Sequence, residues 1–474
     1  MNVVVLGAGP VGLMAAMMLA GDGHQVTVLE RDGAPVSDAS GEELWLGWHR
    51  PGVTQFRHPH LLLPAVLRTL AEELPDVVIE LAARGAAITN LLDGPQRFGK
   101  VGAWLPGDER FAMMTARRPL LEAALDHVAA GSDRLVVRRG TAVAALLPGN
   151  ERVPRRPHVS GVLTQGGEAV HADLVVDAGG RNSPVKRMLR NLGAPGPVEE
   201  RAEDGFLAYT RYFRSTDGSV PEMPPAHSAH YACVSTIATL GDADVWSLSV
   251  GVSSRDRALR ALARPEAWHR AVALLPQVAH LAEFGEPVTD VMAMSGMESR
   301  HRSFVVDGVP VATGVLSIGD AWATTNPLFG LGLSMGALHA TALRDLLRAS
   351  ASDDPEKLAT SFADLTETTL GPVHRGLARW DRHRLAEIDA LRAAAPAPYD
   401  TDDRDWHIRR ALDTLKFRDP DLLRAYAAGA ALLTGPGARL PDSELAARIA
   451  GFGLRPPYGE PGPTRAALLA ALGA

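Results

Sequence analysis

The sequence predicts an α/β fold: a Rossmann-like domain, a mixed sheet inserted into it, and a C-terminal helical region. Three observations carry this reading. Residues 1–16 run as an apolar strand, a G-x-G-x-x-G turn and a helix, and a second strand, HQVTVLE, ends on Glu30. Between residues 200 and 305 the pattern changes to alternating apolar and polar residues, as in GFLAYTRYFRS and DVWSLSVGVSS. From about residue 351 apolar residues return at helical spacing, as in PEKLATSFADL and DPDLLRAYAAGAALL.

In the first motif Gly7 makes the tight turn, Gly9 lets the backbone approach a pyrophosphate, and Gly12 permits close helix packing. Pro10 and Val11 complete the turn, and the helix start offers oriented N–H groups to phosphate. Glu30, followed by Arg31, is placed to accept from a ribose hydroxyl. This fingerprint does not separate a flavin from a nicotinamide dinucleotide, since both contain adenosine diphosphate. Residues 311–347 supply the second site that a flavin needs. An apolar strand runs to Ile318, then come Gly319 and Asp320, a loop with Pro327, and Gly330-Leu331-Gly332-Leu333 opening a helix. An Asp ending a buried strand accepts from a sugar-like hydroxyl, and a glycine-flanked helix start points N–H groups at an electron-rich carbonyl.

On these motifs, with Arg118 in R-x-x-L-x-x-x-L and the turn VVDAGGRNS at 175–183, the chain resembles the FAD-dependent monooxygenases of the aromatic-hydroxylase and polyether-epoxidase type. The resemblance covers roughly residues 1–350. It implies that Glu30 binds the adenosine ribose, Arg118 the phosphate region, Asp320 the ribityl chain and the 330–333 turn the ring, with Val143 beside the adenine. Two departures are Ser334, where relatives often carry Asn, and Leu331, where a closer subgroup carries Arg.

The turn at 175–183 departs as well. Many relatives read Ala-Asp-Gly-x-x-Ser, whose Asp-Gly serves FAD and a transient NADPH; aligning Gly180 and Ser183 puts Gly179 where the Asp would be. Asp177 points the same way one pleat back and can partly substitute. Ser183 reads as an N-cap with Pro184 at the first helical position. The missing acid bears on the electron source: NADPH, NADH, or reduced flavin from a partner reductase.

In PGVTQFRHPH, Arg57 is a candidate phosphate partner, and His58 and His60 are candidate catalytic residues facing flavin or substrate. The alternative is that Arg57 caps a carboxylate and the histidines only start a helix. No Cys, Asp or Glu cluster accompanies His-x-His, so no metal is expected. Tyr209, Arg211, Tyr231 and Trp246 are candidate substrate-pocket residues in the inserted sheet, against the alternative of sheet packing.

The expected segments are 1–75, 101–190 and 306–350 for FAD binding, 76–100 as substrate-domain strands, 191–305 as the substrate sheet, and 351–474 as the helical region. That last region either covers the active site or forms a homodimer contact. The net charge of −7 gives no electrostatic reason to expect nucleic acid or an anionic membrane as partner. One cysteine, Cys233, excludes an intrachain disulfide. A strand beginning at Asn2 leaves no charged leader, GLMAAMMLAG is too short to span a bilayer, and a cytoplasmic protein is expected.

The function implied is a monooxygenase that transfers one oxygen atom of O2 to a small organic substrate, by hydroxylation or epoxidation, through a flavin C4a-hydroperoxide. A dehydrogenase or reductase of the same fold and a non-catalytic FAD-binding protein are the alternatives. The absence of a Ser-His-Asp or paired-carboxylate set agrees with chemistry performed by the cofactor.

Overall fold

In the computed structural model, residues 1–35, 39–349, 354–395, 397–433, 443–453 and 461–473 are described. Pro396, in the Ala/Pro-rich link between C-terminal helices, lies outside them.

A five-stranded parallel sheet organises the first domain. Its order is Val315–Ser317, Leu174–Asp177, Asn2–Leu6, Gln25–Leu29 and Leu135–Arg138. Neighbours pair in parallel, Val5 with Val28 and Val176, and Val176 with Leu316. Parallel strands need crossovers, and buried on both faces they read as continuous Val/Leu runs. One crossover is the helix Pro10–Gly21, whose ten buried residues show no polar face because the sheet, the helix Arg118–Ala130 and the helix Gly332–Ala349 all pack around it. Glycine sets this spacing: a Cβ on Gly336 would lie 2.3 Å from Val11 Cγ2.

The inserted sheet is antiparallel, in the order Ser228–His230, Val234–Leu240, Val245–Ser253 and Phe206–Arg214; Glu286–Pro287 and Met292–Met294 both pair with the last of these. One face carries Trp246, Leu248, Val250 and Val252 into a core with Trp268 and Leu281. Both indoles there are satisfied, Trp246 Nε1–H donating to Leu281 O at 2.9 Å and Trp268 Nε1–H to Tyr209 O at 3.1 Å. The opposite face presents small residues, Ser247, Ser249 and Gly251, and is covered by loops and the C-terminal helices; a Cβ on Gly251 would meet Leu328 at 2.9 Å.

Residues 76–100 differ from expectation. They hold one strand, Ala87–Asn90, between the helices Pro75–Ala83 and Asp93–Arg97, and it pairs with Ala112–Thr115 rather than with the inserted sheet. Pro75 starts its helix where a missing N–H costs nothing, and the apolar residues of that helix then follow helical spacing. The C-terminal region is helical: Pro355–Thr369, Gly371–Arg392, Arg404–Leu415, Pro420–Ala430, Ser443–Gly451 and Arg465–Leu472. Among the described residues no helix is long and apolar enough to cross a membrane.

Candidate active site

The carboxyl ends of the parallel strands open into one cavity of about 1230 Å³. Ordinary small-molecule pockets hold about 300–1,000 Å³, so this one has room for a dinucleotide and a second molecule. It begins at Glu30, Val143 and Gln165, passes Gly9 and Arg118, and reaches Asp320 and the 330–333 turn. It ends between the inserted sheet and the C-terminal helices.

The glycine turn is built as its residue types require. Gly7 sits at φ +100° and a Cβ on Gly12 would lie 2.0 Å from Gly7 O, whereas a Cβ on Gly9 would meet only Arg118 Nη2 at 3.9 Å. Gly9, the N-cap, leaves the first helical N–H groups without a side-chain partner, and the space in front of them is cavity.

Behind this turn lies a buried ionic chain. Glu30 accepts N–H bonds from Ala8 and Asp32, both at 2.9 Å, and pairs with Arg50. Arg50 also pairs with Glu122 and donates to Ala8 O at 3.3 Å. Glu122 takes Arg118 Nε at 2.5 Å, and Arg118 Nη1 donates to His60 Nε2 at 3.0 Å. His60 Nδ1–H in turn donates to His58 O at 2.8 Å. Burial opposes ionisation of Glu30, but Arg50 and the two N–H groups outweigh it and hold the carboxyl below its ordinary range. Burial first and Arg118 second push His60 down to about 3, so both ring nitrogens of a neutral imidazole are committed to protein partners. Burial pushes His58 to about 4; it lines the cavity, and its Nδ1 lies 3.0 Å from Thr210 Oγ1.

Arg50, Asp32 and Glu122 carry no motif and are absent from the sequence-based expectations. The available signal was the i,i+4 pair Arg118/Glu122, which puts a carboxylate on the buried face of an apolar helix. Arg57 is not on the cavity. It donates to Trp48 O at 3.0 Å and lies 4.7 Å over the Trp45 ring, held by the aromatic face beside it, while Arg118 occupies the place beside Gly9. Arg31 lines the cavity and is exposed.

At the other end, burial raises Asp320 above the usual carboxylate range, opposed by Arg118, Arg181 and Arg302. Gly319 lies behind it, donating N–H to His339 Nδ1 at 3.2 Å. Asn326, fully buried, accepts Leu328 N–H at 3.0 Å and caps the turn Pro327–Phe329, which ends on Gly330 at φ +68°. Asn326 Nδ2 also donates to Asp381 Oδ1 at 2.9 Å, and Ser299 Oγ to Asp381 Oδ2 at 3.2 Å. The C-terminal helix is thereby tied to this loop. Burial pushes Asp381 up to about 7. Its folded pKa exceeds the unfolded value of 3.8, so the fold binds the extra proton and this group lowers stability as pH rises from about 4 to about 7. Asp381→Asn keeps both hydrogen bonds in the protonated pattern. It is expected to raise the unfolding free energy at pH 8 by roughly 2–4 kcal/mol and to flatten that slope, read from denaturation midpoints between pH 5 and 8.

The turn at 177–183 is self-contained. Asp177 is buried, accepts Gly179 N–H at 3.0 Å, and receives the Ser183 hydroxyl at 2.7–2.8 Å and that of Ser317 at 3.3 Å. Its oxygens are thus committed to the turn rather than offered to a nucleotide. The helix begins at Val185, one residue after Pro184, with Ser183 Oγ accepting the Val185 N–H at 3.2 Å. A Cβ on Gly179 would lie 3.1 Å from Asp177 Oδ1, which leaves little room for an acid there. Gly180, at φ +73°, Arg181 and Asn182 line the cavity, and Arg181 pairs with Glu298 at 2.7 Å.

Tyr209, Arg211, Tyr231 and Trp246 do not line the cavity. Tyr209, Tyr231 and Trp246 are buried in the core of the inserted domain, and Arg211 Nε donates to Thr289 O at 3.0 Å. Strand alternation turns their neighbours inward instead: Ala208, Thr210, Ile237, Thr239 and Ser249 face the cavity. The helices Gly371–Arg392 and Arg404–Leu415 close it with Leu377, Trp380, Trp406 and Leu412.

Thr324 Oγ1, buried on this cavity, has no hydrogen-bond partner among the described residues, and Asp32 Oδ2 has only the 3.4 Å ion pair to Arg50 Nε. A sugar-like hydroxyl would supply the bond missing at Thr324, and with the open N–H groups after Gly9 the residues present fit FAD.

Comparison with known proteins agrees. A family model for an FAD binding domain matches residues 1–43. The chain carries an FAD-binding domain in the FAD-dependent monooxygenase fold. The chain resembles the solved structure of PqsL, a probable FAD-dependent monooxygenase from Pseudomonas aeruginosa, with TM-score 0.58 and 18% identity over 82% of this chain and 96% of that one. It also resembles the flavin-dependent brominase Bmp2, with TM-score 0.61 and 15% identity over 95% and 98% of the two chains. In sequence it is 28% identical over 420 residues to Protein Rv3254 of Mycobacterium tuberculosis, 84% of this chain and 82% of that relative.

Proposed function

We propose that this flavoprotein is a monooxygenase that inserts one atom of O2 into a small organic substrate, by hydroxylation or epoxidation. The observation that carries the reading is the single continuous cavity, which puts a substrate chamber directly against the turn that would hold the flavin ring. Bound FAD supplies the activation of O2. The protein binds, orients and excludes water.

In this reading Gly9, Pro10, Gly12 and Arg118 hold the pyrophosphate, Glu30 and Asp32 the adenosine ribose, and Val143 borders the adenine. Asp320 and Thr324 take ribityl hydroxyls, and Leu331 to Leu333 face the ring. His60 positions Arg118. Trp380, Trp406, Leu328 and Phe329 make the chamber water-poor.

His58, Thr210 and Ser249 move a proton. Thr210 Oγ1 lies 3.0 Å from His58 Nδ1 and 2.5 Å from Ser249 Oγ, and all three line the cavity. His58, neutral at pH 7, accepts a proton passed through the two hydroxyls from a substrate hydroxyl in the chamber. Thr210→Val breaks this chain without removing volume. It is expected to lower kcat about tenfold to a hundredfold with FAD content unchanged, and to steepen the dependence of rate on rising pH.

Turnover under 18O2 with NADPH, with NADH, and with a flavin reductase tests the function and the electron source together. Product carrying one 18O atom is expected. Substrate oxidised without 18O makes the protein a dehydrogenase, and a protein that takes up no FAD removes the catalytic reading altogether.

A further inference from the structure

Across four strands of the inserted sheet Ala208, Gly251, Ser235 and His230 stand opposite one another, and Thr210 follows Ala208 on the same face. Neighbouring strands lie about 4.8 Å apart, so the strand of His230 is roughly 14 Å from that of Thr210. His230 is the one large polar side chain in its row, and it lines the cavity. Two neighbours hold its ring: Ser235 Oγ lies 2.8 Å from Nδ1, and the Trp380 ring lies at 5.0 Å. Trp380 in turn meets Phe329, next to Gly330, at 4.9 Å. The chamber thus runs from the 330–333 turn to His230 beside aromatic rings. Ser235 fixes the tautomer of His230. It is buried and has no other hydrogen-bond partner among the described residues, so its hydroxyl proton goes to His230 Nδ1. Burial pushes His230 down to about 4, and a neutral imidazole that accepts at Nδ1 carries its proton on Nε2. That N–H has no partner among the described residues. Of the charges that face the ring, Asp413 and Lys416 pair with each other at 2.5 Å and Arg384 pairs with Glu387 at 2.9 Å.

We infer that His230 Nε2–H is a second recognition point in the chamber, donating to a neutral oxygen acceptor, a ketone or ester carbonyl, at the end of the substrate remote from the flavin. This rests on the substrate chamber of the preceding section and names its ligand class. The ligand is an elongated, largely apolar molecule with a polar group at each end, the two spaced by roughly 10–14 Å. One group meets Thr210 and His58, Phe329 and Trp380 cover the middle, and the carbonyl reaches His230. A molecule of the same shape without the carbonyl leaves the N–H unpaired and binds less well.

The test is calorimetric titration of FAD-loaded protein with 4-acetyl-4′-hydroxybiphenyl and with 4-ethyl-4′-hydroxybiphenyl, which has the same shape and no carbonyl. The acetyl compound is expected to bind roughly threefold to tenfold more tightly, the gain of one hydrogen bond. H230F keeps a ring against Trp380 and loses the donor, so there the preference should fall to about one. H230Q keeps an N–H and should retain part of it. Binding of the ethyl compound reports that the chamber has folded. No preference in the unsubstituted protein, or one unchanged in H230F, overturns the proposal. Should H230F not bind the ethyl compound, the smaller H230L is read in the same way. Neither titration involves turnover, so a preference that disappears in H230F without 18O incorporation by the parent would retire the monooxygenase reading and leave the subsite standing.

Discussion

Replacing Arg50 with Met is expected to destabilise the protein by about 3–5 kcal/mol, the usual cost of stranding buried partners of a removed charge. Arg50 pairs with Glu30, Glu122 and, at 3.4 Å, Asp32, and Glu122 has no exposed surface. Removing the cation strands three carboxylates, of which Glu122 keeps Arg118 and Glu30 keeps its two backbone N–H bonds. A domain holds only about 5–15 kcal/mol of stability, so the loss is a large share of it. The deficit should be greater at pH 8 than at pH 5, because acid lets a stranded carboxyl protonate. Adding Glu122→Gln to Arg50→Met should recover part of it, since the penalty comes from the unpaired charge and not from the missing contact. Chemical denaturation of the three proteins at both pH values measures this. Equal losses for the single and double variants would show that packing, not charge, is what Arg50 contributes.

Gly12→Val should leave the protein colourless. A Cβ there would overlap Gly7 O at 2.0 Å and press on Ala178 Cβ at 3.2 Å. The turn must open or the helix must withdraw, and either moves the N–H groups that face the pyrophosphate. Overpacking of this kind costs roughly 1–3 kcal/mol, which in affinity is about a tenfold to hundredfold loss. The expected readout is a weakened titration of apoprotein with FAD. Gly21→Ala is the matched control, because its Cβ would meet nothing within 4 Å; it should bind FAD as the parent does. Equal FAD affinity in both variants would mean that the close approach at Gly12 does not shape the site.

What the sequence made legible was local. Gly7, Gly12 and Gly330 are readable because a backbone shape demands a residue without a side chain, and Asp320 because it follows a strand at a predictable place. The ionic chain was not legible. Arg50, Asp32 and Glu122 come from three elements, and only the folded sheet brings them together. Strand parity failed for a related reason. Tyr209 and Trp246 look like pocket residues because they are large and polar-tipped, yet their face meets the helix Pro265–Val272 and its neighbours, and nothing in the strand says which face a distant helix will cover. Thr210 and Ser249 were overlooked because small hydroxyl residues carry no signature until a cavity is seen beside them. The C-terminal helices likewise reveal their position only by lining the cavity.

The order of the parallel sheet also has a consequence for biosynthesis. Asn2–Leu6, its central strand, is made first, while the outer strand Val315–Ser317 and the glycine turn at 330–333 are made after the whole inserted sheet. At roughly 5–20 residues per second, the edge strand Leu174–Asp177 waits for about 140 further residues, 177 to 315, before its partner is made. The roof over the chamber, helices 371–392 and 404–415, emerges later still. The groups at both ends of the dinucleotide portion of the cavity therefore coexist only once the turn at 330–333 has emerged.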